Sequence, residues 1–247
     1  MERLDDILGY KNRKIYQDDS CFSFSLDSVM LSNFATIRMR DKNILDLGCG
    51  NGAIPLILSL RTNKKIIGVE LQKKLADMAA RSVEYNHLKS QIEIHNVNMK
   101  DFVNNETIET YDLITCNPPY FKVNEENYFN LSLEKVIARH EVEITLDDVF
   151  CISKKLLKNN GNLAIVHRPV RLIEIFELFR KNNIEPKRLQ FVYEKISKES
   201  TLVLVEGQKN GKVGLKIEKP FILYNDDGTM TKEYELLCRE VVKDETK

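Results

Sequence analysis

Asn43-Ile-Leu-Asp-Leu-Gly-Cys-Gly-Asn-Gly52 is the stretch from which the fold can be read. Its first half, Asn43–Leu47, is a short apolar run of the length a buried strand needs. Glycines then stand at 48, 50 and 52, and helical spacing resumes through Ile54–Leu60. Glycine lets a backbone turn sharply and approach a ligand without a Cβ in the way. A strand that runs through such a turn into a helix opens a β–α–β unit.

Working outward, the same alternation continues. Lys65–Val69, Ile92–Val97, Asp112–Cys116 and Asn162–His167 read as further strands. Lys73–His87 reads as a helix with Leu75, Met78, Ala79 and Val83 on one face, and Phe150–Leu157 and Val170–Arg180 have helical spacing. Strands alternating with helices imply a parallel sheet covered on both faces. After Pro186 the pattern changes. Leu189–Tyr193 and Thr201–Gly207 are β-rich runs around the charged Glu194–Ser200, which predicts a hairpin-like end. Asp226-Asp-Gly-Thr is a turn, and Thr231–Val242 suits a closing helix. The fold class is α/β, with seven strands, mostly parallel, and an antiparallel strand near the C-terminus. Residues 1–247 read as one domain, in which 1–40 form an N-terminal segment that covers the site and 41–247 form the core.

Composition narrows the class. The 247 residues are 43% hydrophobic and 30% charged, with no apolar run near the length needed to span a bilayer and no signal-like start, so a cytoplasmic protein is expected. Five isolated cysteines (21, 49, 116, 151, 238) give neither a disulfide framework nor a zinc spacing, and four scattered histidines give no metal site. The net charge is zero but unevenly spread: residues 41–150 hold 12 basic and 17 acidic residues (−5), residues 151–247 hold 19 and 14 (+5). That split permits a polyanion partner leaning on the C-terminal part and on Lys11, Arg13 and Lys14, without demanding one.

Gly48-x-Gly50-x-x-Ala53 also matches the dinucleotide fingerprint, so a nicotinamide enzyme must be weighed. Asp46, just before the first glycine, argues against it, because a carboxylate there would face a pyrophosphate. The same carboxylate suits a cation such as the sulfonium or amino group of S-adenosylmethionine (SAM). Glu70, ending the second strand, can accept hydrogen bonds from both hydroxyls of a ribose in either class.

Asn117-Pro-Pro-Tyr120 follows the fourth of these strands. Two prolines cannot continue a ladder, so the strand stops and presents a rigid turn. An amide, a free carbonyl on Pro118 and a flat aromatic then stand at the strand's C-terminal end, the ligand-binding end of an open parallel sheet. The group suits a planar ligand with an exocyclic amino nitrogen.

Asp46-x-Gly48-x-Gly50-x-Gly52 with Glu70 and Asn117–Tyr120 resembles the class I, Rossmann-like SAM-dependent methyltransferases that modify amino nitrogens. Three outer patterns narrow it: Phe22-Ser-Phe-Ser-Leu-Asp27-Ser28, Ala138-Arg-His-Glu141 and Leu204-Val-Glu-Gly207. With them the chain is similar to the tRNA adenine-N6 methyltransferases that act on the adenine 3′ of the anticodon of a valine tRNA. The resemblance implies SAM as cofactor, held by Asp46, Gly48, Gly50, Asn51, Glu70, Leu71, Met99 and Asn117. Such proteins commonly carry Asp where Asn98 stands, so Asn98 or Asp101 would meet the cofactor's adenine. Asn117, Pro118 and Tyr120 would be catalytic, and Pro119, Phe121, Arg139 and His140 would contact an RNA substrate, most simply tRNA. Asp27 would either cap its helix or reach the cofactor. Lys122–Asn130 would be a substrate loop.

The implied chemistry is in-line methyl transfer to adenine N6, whose lone pair is delocalised into the ring. Asn117 Oδ1 and the Pro118 carbonyl, accepting its two hydrogens, would localise that pair, while Tyr120 stacks on the base. No strong general base is needed. Four other readings stay open: a protein-glutamine, an rRNA guanine-N2 and a DNA adenine methyltransferase, and a SAM- or RNA-binding module without turnover. The first lacks the usual helical domain ahead of the core, and the third lacks room for a target-recognition domain.

Overall fold

A computed structural model describes residues 1–7, 10–19, 21, 25–104, 107–118 and 144–239. The chain opens with an antiparallel hairpin, β1 (Glu2–Ile7) and β2 (Tyr10–Asp18), and a helix α1 (Leu26–Phe34). The alternating core follows as β3 (Asn43–Leu47), α2 (Ala53–Arg61), β4 (Lys65–Glu70), α3 (Lys73–Tyr85), β5 (Ile92–Asn96) and β6 (Tyr111–Cys116). Next come α4 (Leu146–Leu156), β7 (Leu157–His167), a 3-10 turn (Pro169–Arg171), α5 (Leu172–Lys181), β8 (Ile184–Tyr193) and β9 (Ser200–Lys209). Two short strands, β10 (Lys216–Ile217) and β11 (Phe221–Ile222), and helix α6 (Lys232–Arg239) end the described chain.

The long strands lie in the order β5-β4-β3-β6-β7-β9-β8. The first five are parallel, and β9 runs antiparallel to both β7 and β8. These are the seven strands expected. The added pair, β10 and β11, both run parallel to β8 on its outer edge and bring the sheet to nine strands. At two residues each, they carry no periodicity a sequence reading could detect. The chain starts in mid-sheet at β3, works outward to β5, then returns to β6 on the other side of β3. That reversal opens a crevice beyond the C-terminal ends of β3 and β6.

Alternation along each strand feeds two apolar layers. Ile44, Ile66, Leu113 and Leu204 face α1, α2 and the hairpin residues Ile7 and Ile15. Leu45, Leu47, Ile114, Ile165 and Val205 face α4 and α5, where Phe150 meets Phe179 edge-on at 4.7 Å between ring centres. Helix α4 begins at residue 146 rather than 150 because Thr145 and Asp148 form a reciprocal capping box. Strand β8 starts at Ile184, ahead of the Leu189 expected, and runs through Pro186; the register shifts between Pro186 and Arg188.

The hairpin is the largest difference from expectation within 1–40. Its strands are too charged to show a strand period, and they pair mainly with each other. β2 then docks on α3 through side chains: Asn86 accepts from the Lys14 amide at 3.0 Å and donates to the Lys14 carbonyl at 2.7 Å. The Tyr16 amide donates to Ser82 Oγ at 2.9 Å. Among the described residues no helix is long and apolar enough to cross a membrane.

Candidate active site

Asp46 lies in β3 with Gly68 of β4 on one side and Thr115 of β6 on the other. Its side chain is fully buried. One oxygen, Oδ1, accepts from the Thr115 hydroxyl at 2.7 Å, and the other, Oδ2, is buried with no hydrogen-bond partner among the described residues. Burial pushes this carboxyl up to about 8; the Thr115 hydroxyl opposes the shift and the nearby Glu70 charge adds to it.

The turn after β3 is held against β4, since the amides of Gly48 and Cys49 both donate to the Val69 carbonyl, at 2.9 and 3.0 Å. All three turn glycines have positive φ, at +70°, +56° and +90°. A Cβ on Gly52 would press on Ala79 at 3.2 Å, but one on Gly50 would meet nothing within 4 Å. The open side of the turn is therefore backbone exposed to a ligand, with Met99 as its nearest neighbour at Gly48. Gly68 makes the turn possible from below, because a Cβ there would stand 2.8 Å from Cys49 Sγ.

Glu70 closes the second side. Its Oε2 accepts from the Gly50 amide at 2.9 Å and its Oε1 from the Gln72 amide at 2.8 Å. Burial raises this carboxyl, and the amides of Gln72, Gly50 and Leu71 pull it back down. With three amides on about four lone-pair sites, the carboxylate can still accept from a hydroxyl.

Asn117 stands one step beyond the last paired residues of β6 and β3, Cys116 and Leu47, and so beside the glycine turn. Its Nδ2 donates to Ser28 Oγ of α1 at 3.4 Å. Pro118 is buried. Asp27 sits in the first helical turn of α1, where a carboxylate suits the free amides of the helix start; Ser25 holds the N-cap position without a side-chain cap bond.

The residues read from the sequence separate into groups. Asp46, Gly48, Gly50, Glu70, Met99 and Asn117 gather at the C-terminal ends of β3, β4 and β6. Asn51 is buried and donates through Nδ2 to the Tyr16 carbonyl at 3.1 Å, tying the turn to the hairpin. Leu71 is half-buried, and its carbonyl accepts from Asn96 Nδ2. Asn98 Oδ1 accepts from the Lys100 amide at 2.9 Å, which leaves it one lone pair for an adenine amino group, while Asp101 is exposed. Pro119, Tyr120, Phe121, Lys122–Asn130, Arg139 and His140 lie outside the described residues. The sequence reading missed Thr115, Ser28 and Gly68. Thr115 and Gly68 are Asp46's own neighbours in register, a relation visible only once strand pairing is known.

The donor set fits SAM. A buried carboxylate with an unsatisfied oxygen calls for a cation or hydrogen-bond donor, the glycine turn leaves room for backbone approach, and Glu70 retains acceptor capacity for a ribose hydroxyl. Among the described residues no group of three His, Cys, Asp or Glu side chains is placed to hold a metal ion.

Comparison with known proteins agrees with this geometry. The family model "Methyltransferase small domain" matches residues 25–180, more than half the chain. The chain belongs to the methyltransferase small domain family. Two curated relatives, both called tRNA1(Val) (adenine(37)-N6)-methyltransferase, show how far the likeness within this family extends. The Flavobacterium psychrophilum protein is 26% identical over 94% of this chain and 97% of its own length. The Haemophilus influenzae protein is 31% identical over 64% and 66%. Among solved structures, a predicted O-methyltransferase from Agrobacterium tumefaciens matches with a TM-score of 0.67 at 18% identity, covering 86% of this chain and 96% of that one. Geranyl diphosphate C-methyltransferase from Streptomyces coelicolor, solved with S-adenosyl-L-homocysteine, matches at 0.54 and 12% identity over 74% and 77%. At those identities the structures speak for the fold alone.

Proposed function

We propose that this chain is a SAM-dependent tRNA methyltransferase that modifies the exocyclic N6 of an adenine, the one 3′ of the anticodon in a valine tRNA. The observation that carries the chemistry is the buried, half-satisfied Asp46 beside the glycine turn, with Asn117 just past the end of β6, two residues beyond Asp46's partner Thr115. The name of the Flavobacterium psychrophilum relative, which aligns along 94% of this chain, supports the substrate. The chain acts as one unit in the cytoplasm, with residues 1–40 helping to cover the site.

Bound SAM would supply an electrophilic methyl group on a cationic sulfur. Asp46 offers it a counter-charge in a dry setting, and Glu70 with the turn amides sets its ribose. Asn117 Oδ1 and the Pro118 carbonyl accept the two amino hydrogens of the target, which moves its nitrogen towards a tetrahedral shape with a localised lone pair. Because these acceptors are already oriented, they act without reorganising as charge develops. Tyr120 stacks on the base, and Arg139 and His140 contact the RNA. An unpaired loop base enters such a pocket at lower cost than a paired one.

The test supplies tritiated-methyl SAM with unmodified tRNA, ribosomal RNA or protein release factor, and identifies the labelled product by mass spectrometry. N6-methyladenosine in tRNA is expected. Label in N2-methylguanosine or in a glutamine side chain would overturn the substrate. Asn117→Ala is expected to lower turnover by about a hundredfold or more, as loss of a preorganised transition-state partner does, while SAM affinity changes little.

A further inference from the structure

Asp46 has a polar neighbour on only one flank. In the ladder it stands between Gly68 of β4, which has no side chain, and Thr115 of β6. The Gly68 side cannot supply one, because a Cβ there would stand 2.8 Å from both Cys49 Sγ and Ile94 Cδ1. Among the described residues, the side-chain partner of the carboxylate is therefore the Thr115 hydroxyl, 2.7 Å from Oδ1.

We propose that Thr115 is a positioning residue that pins Oδ1 of Asp46 and so keeps Oδ2 for the cationic end of the cofactor. The proposal rests on the reading of Asp46 as the counter-charge to SAM. Both residues are fully buried, and Oδ2 has no partner among the described residues. The terminal torsion of aspartate is broad, so a carboxylate without a partner has no preferred rotation. Threonine is β-branched and stiff, which makes its hydroxyl a fixed point.

The direction of the bond follows from charge. An ionised carboxylate has no hydrogen to give, so the hydroxyl must donate to it. Against neutral Asp46 the same hydroxyl can accept, and turn its own hydrogen to the Leu45 carbonyl 3.4 Å away. Oδ1 is engaged in both states, but the bond to the charged state is the stronger kind. The hydroxyl thus favours the form that a cation needs. The other groups near Asp46 do not: Glu70 adds a like charge, and Cys49 and Cys116 are buried thiols. Helix α1 brings only an acid, Asp27, in its first turn, and α2 has no ionisable residue before Arg61 at its end. Thr115 touches no reacting atom; it acts through Asp46.

The experiment measures SAM affinity by calorimetry from pH 6 to 9 for the wild type, Thr115→Val, Thr115→Ser, Asp46→Asn and the double variant of Thr115→Val with Asp46→Asn. Thr115→Val is expected to bind SAM about tenfold more weakly at pH 7, the worth of one hydrogen bond to a charged group. Its carboxylate ionises at higher pH, so the deficit should shrink to about twofold at pH 9. Thr115→Ser, which keeps the hydroxyl, should follow the wild type throughout. In the Asp46→Asn background Thr115→Val should change little, since the partner it acts through is gone. A deficit constant with pH, equal in Thr115→Ser, or undiminished beside Asp46→Asn overturns the role. Thr115→Ala makes the same comparison if the valine chain does not fold. Wild-type affinity in Thr115→Val, with binding weakened in Asp46→Asn, overturns the role of Thr115 and leaves the site standing. Wild-type affinity in Asp46→Asn sinks the reading of the site, and this role with it.

Discussion

Asp46 keeps one oxygen on Thr115 and the other with no partner among the described residues, in a place with no water contact. Raised to about 8, it holds its proton in the ligand-free protein at neutral pH, where an unfolded chain would have released it. Between roughly pH 4 and pH 8 the folded state binds more protons than the unfolded one, so stability falls as pH rises through that window. Asp46→Asn should flatten this slope, as Tm measured from pH 5 to 9 would show. A cation arriving at Oδ2 favours the charged form. Calorimetry at pH 7 in two buffers of different ionisation heat should find most of a proton released when SAM binds the wild type, and none from this position in Asp46→Asn. The variant should also bind SAM about tenfold more weakly, the order expected for losing a charge-assisted partner.

At the scale of elements, the hairpin and α3 are joined by hydrogen bonds between backbone and side chains rather than by a ladder. Asn86 satisfies both the amide and the carbonyl of Lys14, and Ser82 takes the amide of Tyr16. Removing one such partner leaves a backbone group unsatisfied and costs about 1–3 kcal/mol. Asn86→Ala should therefore release the Lys14 amide to hydrogen exchange well before the amides of β3 and β4, a difference that exchange mass spectrometry reads directly. The hairpin shows where sequence reading stops. Ile54–Leu60 and the face of Leu75, Met78, Ala79 and Val83 were legible because a helix repeats its apolar positions. Among the described residues, the buried apolar side chains of β1 and β2 are Ile7 and Ile15, and the hairpin takes its hold from Asn51, Ser82 and Asn86, residues with no periodic signature. In the site the division is similar. Asp46, the glycines, Glu70 and Asn117 announce themselves by chemical type at strand ends, whereas Thr115, Gly68 and Ser28 matter only through neighbours that folding brings.

Across the whole molecule, Leu204-Val-Glu-Gly207, one of the patterns that narrowed the family, serves packing. Glu206 anchors Thr36, and Gly207 lies under the Phe179 ring, where a Cβ would stand 2.5 Å from Cε1. Phe179 is fully buried against Phe150 and cannot withdraw. Gly207→Ala should therefore destabilise the protein by about 1–3 kcal/mol, as overpacking does, read from the urea midpoint at unchanged slope. An unaltered midpoint would mean that the layer between sheet and α5 yields more easily than this packing suggests.

The bond from Thr36 to Glu206 spans 170 residues of sequence. A growing chain on the ribosome meets Ser28 and Asn117 long before residue 206 leaves the exit tunnel. Until then the C-terminal end of α1 has no anchorage on β9. A chain cut short before β9 would carry the glycine turn, Glu70 and Asn117 and still lack the carboxylate that holds the end of α1.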